Sequence, residues 1–272
     1  MVLSNIVESW DSVIYFFYNT LVTLKSFFSS LEDRKILKKN KELKDKYLGK
    51  RCFIVMNGPS LNEHDLSALK DEYVFCSNFF YKSDLAKTIL PNFYSFTDGM
   101  MYDPVSINGI IDEIRNKCPN VKFILTLKGK GLINNMNDVY LVRAKHLPHK
   151  YGIRKNLDSV CSNFQTVAFF VINTAIYLGF KDIYVLGLDF NPGGFIHFAN
   201  LGVECAKPGE QCRKEDVAGD HWGYAKAHYE SYALAAYAKK NNCRIINLNP
   251  QSCIRAFEFD NYERIISQRN GI

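Results

Sequence analysis

Short apolar runs rich in β-branched and aromatic residues alternate with helix-length segments through most of this 272-residue chain. That alternation predicts a doubly wound α/β domain with a mostly parallel sheet. Two further observations support it. The strand candidates are nearly continuously apolar, as expected when helices cover both faces of a parallel sheet. Composition also suffices for a sizeable core: 47% of residues are apolar, with 20 Phe and 16 Tyr, which excludes wholesale disorder.

The elements follow in order. Trp10, Ile14, Phe17, Leu21, Leu24, Phe28 and Leu31 alternate spacings of four and three, a heptad seam on one helix face. Val13, Tyr18 and Phe27 widen it. The longest uncharged stretch within this N-terminal segment, Ser12 to Leu24, has 13 residues, short of the roughly 20 a membrane span needs. Glu8 and Asp11 interrupt the N-terminus early, against a cleaved signal peptide. Between Asp33 and Arg51, nine lysines and arginines face three acids. Residues 1–48 are therefore expected to be a separate amphipathic helical segment. It either packs on the body or a sister subunit, making a homo-oligomer, or lies on an anionic membrane surface.

Residues 49–272 are expected to form the α/β domain. Strands are expected at Arg51–Met56, Tyr73–Asn78, Asn92–Asp98, Val121–Leu127, Asp182–Phe190 and Cys243–Asn249. Helices are expected at Pro104–Lys117, Ser162–Leu178 and His221–Lys240, with Pro104 in a first turn and Gly179 as a C-terminal stop. Residues 191–220 lack periodicity and read as a lid over a site. The body beyond Arg51 is nearly neutral, so no nucleic-acid face is expected. The eight cysteines include no C-x-x-C pair and read as reduced, mostly buried thiols of a cytoplasmic protein. Cys205 and Cys212 bracket a polar loop, where a disulfide or a metal site with His197 and His221 stays open, although no standard zinc spacing supports it.

A doubly wound sheet binds its ligand at the carboxyl ends of its strands. Four of the strand candidates end in small or polar residues there. Asn57-Gly58-Pro59-Ser60 is a strong turn signal, and its glycine permits close approach or positive φ, with free amides ahead that suit a phosphate. Ser77-Asn78, Thr97-Asp98-Gly99 and Gly187-Leu188-Asp189-Phe190 close the others. His221 stands at the lid boundary, and His228 follows seven residues later.

The order of these motifs resembles the bacterial sialyltransferases of glycosyltransferase family 42 and related surface-polysaccharide transferases. The carrying residues are CFIVMNGPSL (52–61), CSNFFY (76–81), FTDG (96–99), NTAIYLGFKDIYVLGLDF (173–190), DHWGY (220–224) and NLNPQS (247–252). The resemblance spans roughly residues 50 to 258 and is loose between motifs. It implies a Rossmann-like, metal-independent transferase without cofactor. Such an enzyme moves a sialic-acid-like nonulosonic acid from a CMP-activated donor to a hydroxyl of a glycan or lipid-linked glycan.

By the same resemblance, Asn57, Gly58, Pro59, Ser60 and Asn78 hold the nucleotide, with Asp98 near a further nucleotide-binding position. Thr166 and the Gly187–Asp189 pair match residues around the last strand of the site. Asn191 and His197 stand where the family offers lid tyrosines to the departing phosphate, which is a departure. An arginine expected near Phe164 is also missing. The family's general base falls near His221. That motif has two histidines four positions apart where this chain has one before Trp222, so His228 is the alternative base. A histidine near its unperturbed pKa suits deprotonation of an acceptor hydroxyl.

A pterin pyrophosphokinase-like family shares a similar core, so an ATP- and magnesium-dependent enzyme is the alternative chemistry. A non-catalytic nucleotide-binding scaffold is the alternative class. The expected location is cytoplasmic, peripheral on the inner membrane face if the first helix binds lipid.

Overall fold

The computed structural model describes residues 2–148, 152–190 and 217–268, and the side chains within these ranges except for 2–9 and 217–221. Helices α1 (Val2–Phe27) and α2 (Leu31–Lys39) come first. Then follow β1 (Arg51–Val55), β2 (Val74–Ser77), α3 (Leu85–Ile89), β3 (Phe93–Ser95), α4 (Ile107–Lys117), β4 (Lys122–Thr126) and β5 (Val139–Val142). The chain continues through β6 (Ala144–His146), β7 (Cys161–Ser162), α5 (Val167–Leu178), β8 (Asp182–Leu186) and α6 (Val217–Lys240). It closes with β9 (Arg244–Asn247), β10 (Glu258–Phe259) and α7 (Tyr262–Ser267).

Eight strands form one sheet in the order β10-β9-β8-β1-β2-β3-β4-β5, and every pairing is parallel. β6 and β7 make a separate parallel pair. The chain leaves β1 toward β2 on one side and later returns to place β8 on the other. The switch point of this Rossmann-like α/β fold therefore lies between β1 and β8.

Alternation along the strands separates two cores. Cys52 and Ile54 of β1, with Ile183 and Val185 of β8, join α5 and α6 on one face. Phe53 and Val55, with Tyr184 and Leu186, join α4 and α7 on the other. This period of two explains why each central strand reads as a continuous apolar run.

All six expected strands form, several shorter than their apolar runs. β2 stops at Ser77 because Asn78 takes a positive φ of 48°, and β8 stops at Leu186 because Gly187 takes φ 67°. α4 begins at Ile107, not in the turn of Pro104. The Asp103 carboxylate accepts from the Ser106 amide (3.1 Å) and hydroxyl (2.9 Å) and holds the preceding turn apart. α5 begins at Val167, because β7 uses Cys161–Ser162 and Thr166 caps the helix. Gly179, at φ 93°, ends it as expected. Residues 217–220, read as the end of the lid, are the first residues of α6; 191–216 lie outside the described residues.

The chain is tied to the body before residue 49. Leu37, Asn40 and Leu43 are buried, and the Asn40 side-chain amide donates to the carbonyls of Leu141 (2.8 Å) and Leu157 (2.7 Å).

Candidate functional site

The carboxyl ends of β1 and β8 stay joined beyond the strands. The Met56 amide donates to the Leu186 carbonyl and the Gly58 amide to the Gly187 carbonyl, both at 2.9 Å. Gly58 sits at φ −75°, ψ 150°, so it is not needed for a left-handed backbone. It is needed for closeness: a Cβ there would stand 2.4 Å from the Gly187 oxygen and 2.6 Å from Asp189 Oδ2. Gly187 supplies the reversal itself through its positive φ.

Asp189 is 6% exposed and is engaged on both oxygens. Oδ2 accepts from the Ser60 amide at 2.9 Å. Oδ1 accepts from the Ser60 hydroxyl at 2.5 Å and from Asn249 Nδ2 at 2.7 Å. Asn249 is oriented in turn by Asn247, whose Oδ1 accepts the Asn249 amide at 3.1 Å. Asp189 and Ser60 thus hold one another and fix the loop Asn57–Ser60 against the end of β8. Asn249 was not singled out from the sequence as a site residue; its signal was the NLNP run after the last long strand.

Beyond this clamp the edge carries polar atoms with no partner. Asn57 Oδ1, Asn78 Oδ1, Ser95 Oγ and Thr126 Oγ1 are buried and, among the described residues, make no hydrogen bond. They stand at the carboxyl ends of β1, β2, β3 and β4, which are neighbours in that order. The row crosses three strand spacings of about 4.8 Å each. Buried side-chain oxygens are normally satisfied, so such a row calls for donors from a ligand or ordered water. Asn57 Nδ2 reaches the Ser77 carbonyl only at 3.4 Å. Asn78 is partly exposed and holds a left-handed backbone, which asparagine tolerates better than most residues.

Asp98 caps the short turn Gly99–Tyr102, accepting the Met100 amide at 3.1 Å. Exposed Lys128 lies just past β4, with Nζ 6.0 Å from the Tyr102 ring centre. Ser95, Thr126 and Lys128 are additions of the structure to the sequence-expected set.

Thr166 accepts the Ala168 amide at 2.9 Å and caps α5. Beside it, the Gln165 amide donates to Glu230 Oε2 at 2.8 Å. Burial pushes the Glu230 carboxyl up to about 7 from an ordinary value of 4.5, against opposing pulls from the Gln165 amide and Lys226. The folded state therefore keeps a proton that the unfolded state gives up as pH rises from about 4.5 to 7. Stability falls across that window, by on the order of 3 kcal/mol. Glu230→Gln is expected to flatten this fall and to raise stability at pH 8 by about 1–3 kcal/mol. Urea unfolding of both proteins at pH 5 and pH 8 checks it.

His228 is partly buried on α6, its ring 5.6 Å from Phe190 and 5.2 Å from Tyr224. Phe190 directly follows Asp189, so His228 is brought to the β8 end of the site. Burial lowers its pKa, which keeps the ring neutral and able to take up a proton. The sign is opposite to that of Glu230: this contribution to stability is present above about 6.5 and is lost as pH falls below it. The His221 backbone belongs to the start of α6, but its side chain is outside the described set, as are His197, Asn191, Cys205 and Cys212. Among the described residues no group of three or more His, Cys, Asp or Glu gathers to hold a metal ion. Six described cysteines are free thiols, four of them buried.

A cleft of about 310 Å³ adjoins the clamp, lined by Asn249 together with Glu63, His64, Gln251, Asn261 and Glu263 among others. His64 Nδ1 is 3.0 Å from Glu263 Oε1. Two carboxylates make this cleft a poor host for phosphate, and the row at β1–β4 is the better candidate.

Fold and edge together define a doubly wound α/β protein with a polar, incompletely satisfied sheet edge beside its switch point. No protein-family profile matches the chain, and no curated protein does. Solved structures of similar fold include the sialyltransferase CstII from Campylobacter jejuni in complex with cytidine-5'-monophosphate, at 19% identity and TM-score 0.45, covering 78% of this chain and 85% of that one. The same enzyme in complex with CMP-3FNeuAc gives 19%, 0.44, 78% and 86%. Sialyltransferase CST-II with a trisaccharide acceptor and CMP gives 19%, 0.41, 77% and 85%. Likeness of this degree assigns no activity.

Proposed function

We propose that this chain is a glycosyltransferase that moves a sialic-acid-like sugar from a CMP-activated donor to a hydroxyl of a glycan acceptor. The observation that carries the reading is the row of unpartnered oxygens at Asn57, Asn78, Ser95 and Thr126. These are acceptors and hydroxyls suited to the amine and hydroxyl groups of a nucleoside. The choice of CMP among nucleotides rests on the motif resemblance around Asn57–Ser60 and Gly187–Asp189.

In this reading Asn57 and Asn78 hold the nucleoside, with Asp98 and Lys128 at the far end of the row. Gly58, Pro59 and Ser60 form the loop beside the nucleotide, and Asp189 keeps that loop in place. The Gly58 and Ser60 amides are used by Gly187 and Asp189 and Pro59 has none, so the loop does not offer the phosphate the free amides expected of it. Thr166 and Gly187 shape the adjoining backbone. The residues assigned to the departing phosphate remain Asn191 and His197. His228, neutral and beside the β8 end, takes the acceptor proton, with His221 the alternative base. The reaction needs no metal or cofactor in this scheme, and the protein works on the cytoplasmic side.

The test is a thermal-shift panel with CMP, ATP and other nucleotides, with and without magnesium, because a ligand of the native state raises apparent stability. A magnesium-independent shift with CMP that disappears in Asn78→Gly, without loss of basal stability, is the expected result. A shift with ATP and magnesium alone would transfer the assignment to the pyrophosphokinase chemistry. With a CMP-linked nonulosonic acid, His228→Asn is expected to lower turnover on the order of a hundredfold while leaving the CMP shift intact. Loss of turnover in His221→Asn instead would move the base there.

A further inference from the structure

Helix α1 is amphipathic with its polar side turned inward. Asn19 is 7% exposed and pairs reciprocally with the backbone of Leu147: Nδ2 donates to its carbonyl at 3.0 Å, and Oδ1 accepts its amide at 2.8 Å. Tyr15, one turn before, lies near Glu230 and Tyr229 of α6. The heptad seam faces the other way. Trp10, Ile14, Phe17, Leu21, Leu24 and Phe28 are each more than half exposed. Among the described residues, the seam does not pack on the body, because the opposite face does the packing.

Phe16 and Phe27, also exposed, broaden the stripe. At roughly 100° per residue the apolar arc spans about 160°, wider than the two-position seam of a coiled-coil pair. No helix among the described residues is long and apolar enough to cross a membrane, so a surface that accepts the arc must do so with the helix lying in its plane.

Charge identifies that surface. Three of the four acids of the following segment pair with the body, while Asp45 is exposed among the lysines. Asp33 pairs with Lys130 (2.6 Å) and Arg143 (2.8 Å), Glu32 with Lys130 (2.9 Å), and Glu42 accepts the Tyr140 hydroxyl at 2.5 Å. Lys35, Lys38, Lys41, Lys44 and Lys46 are all exposed. The pairing leaves an outward basic surface within a few residues of an outward aromatic helix.

We propose that α1 lies in the headgroup boundary of an anionic bilayer, aromatic face down, with the lysines of residues 35–46 on lipid headgroups. The proposal is independent of the transferase reading.

The test uses the full chain carrying Trp222→Phe, so that Trp10 is the remaining tryptophan. Vesicles of phosphatidylglycerol and phosphatidylcholine are compared with vesicles of phosphatidylcholine alone. Co-sedimentation with the anionic vesicles and a blue shift of Trp10 emission are expected. Phe17→Glu with Leu21→Glu should weaken partitioning at least tenfold. Each Lys→Gln change at 35, 38 or 41 should weaken it roughly fivefold, and these exposed positions put folding at no risk. Absence of sedimentation with anionic vesicles overturns the proposal. So does equal binding to both vesicle types. A vesicle-free dimer that dissolves in the Phe17→Glu, Leu21→Glu variant but persists in the Lys→Gln variants would assign the face to a second copy.

Discussion

Asp189→Ala is expected to destabilise the protein by about 3–5 kcal/mol, read as a lower urea midpoint with unchanged slope. The carboxylate accepts three hydrogen bonds from the Ser60 amide, the Ser60 hydroxyl and Asn249 Nδ2. Alanine leaves all three donors buried without an acceptor, each costing about 1–3 kcal/mol. Asp189→Asn should cost less, but not nothing. Whichever way its amide turns, the NH₂ meets a donor: the Ser60 amide on one side, Asn249 Nδ2 on the other. Asn249→Ala, which removes one donor and leaves the carboxylate two, is expected to be milder still, about 1–2 kcal/mol. A flat series across these three variants would show that the clamp contributes little. Since the clamp holds the loop Asn57–Ser60, the CMP-dependent thermal shift should weaken in the same order as stability.

Gly58→Ala is the second large effect, expected at about 3 kcal/mol with loss of nucleotide response. The added methyl would meet a backbone carbonyl at 2.4 Å and a carboxylate at 2.6 Å. Neither has room to move. The carbonyl of Gly187 accepts the Gly58 amide, and the carboxylate is the thrice-bonded Asp189. Relief requires parting the ends of β1 and β8, which opens the switch point itself. Gly109→Ala is the internal control. It lies inside α4 with nothing within 4 Å of the added carbon, and should gain about 0.5–1 kcal/mol from helix propensity. Equal effects at the two glycines in urea unfolding would refute the steric account of Gly58.

Both predictions concern residues whose importance was visible in the sequence but whose roles were not. Gly58, Ser60 and Asp189 stood out as turn and strand-end residues. Ser60 and Asp189 are separated by 129 positions in the chain, and nothing local indicates that they bind each other. Likewise Asn57 and Asn78 were legible as strand-end asparagines. That their oxygens lack partners, and line up with Ser95 and Thr126, depends on the strand order. The lid histidine and asparagine, His197 and Asn191, remain known by sequence alone.

The N-terminal helix divides in the same way. Its period of 3.5 and the lysines after it are properties of the sequence, and they predicted an amphipathic element. Which face would be used was decided by two polar residues: Asn19 meets the backbone of Leu147, and Tyr15 meets α6. The missed elements have physical reasons too. β10, β6 and β7 are two or three residues long, too short for a periodicity to register. β5, with its VYLV run, was readable and went unassigned.

What the sequence determined by itself was the fold class, six of the strands and the location of polar residues at the carboxyl ends of most of them. These follow from local periodicity and from burial on both sheet faces, which act within a few residues. What only the tertiary structure decided was the strand order that makes β1 and β8 neighbours, the Ser60–Asp189–Asn249 clamp, and the approach of His228 to Phe190. It also decided the outward turn of the α1 aromatics. These depend on contacts between residues far apart in the chain, formed once the crossovers have closed, and no local pattern encodes them.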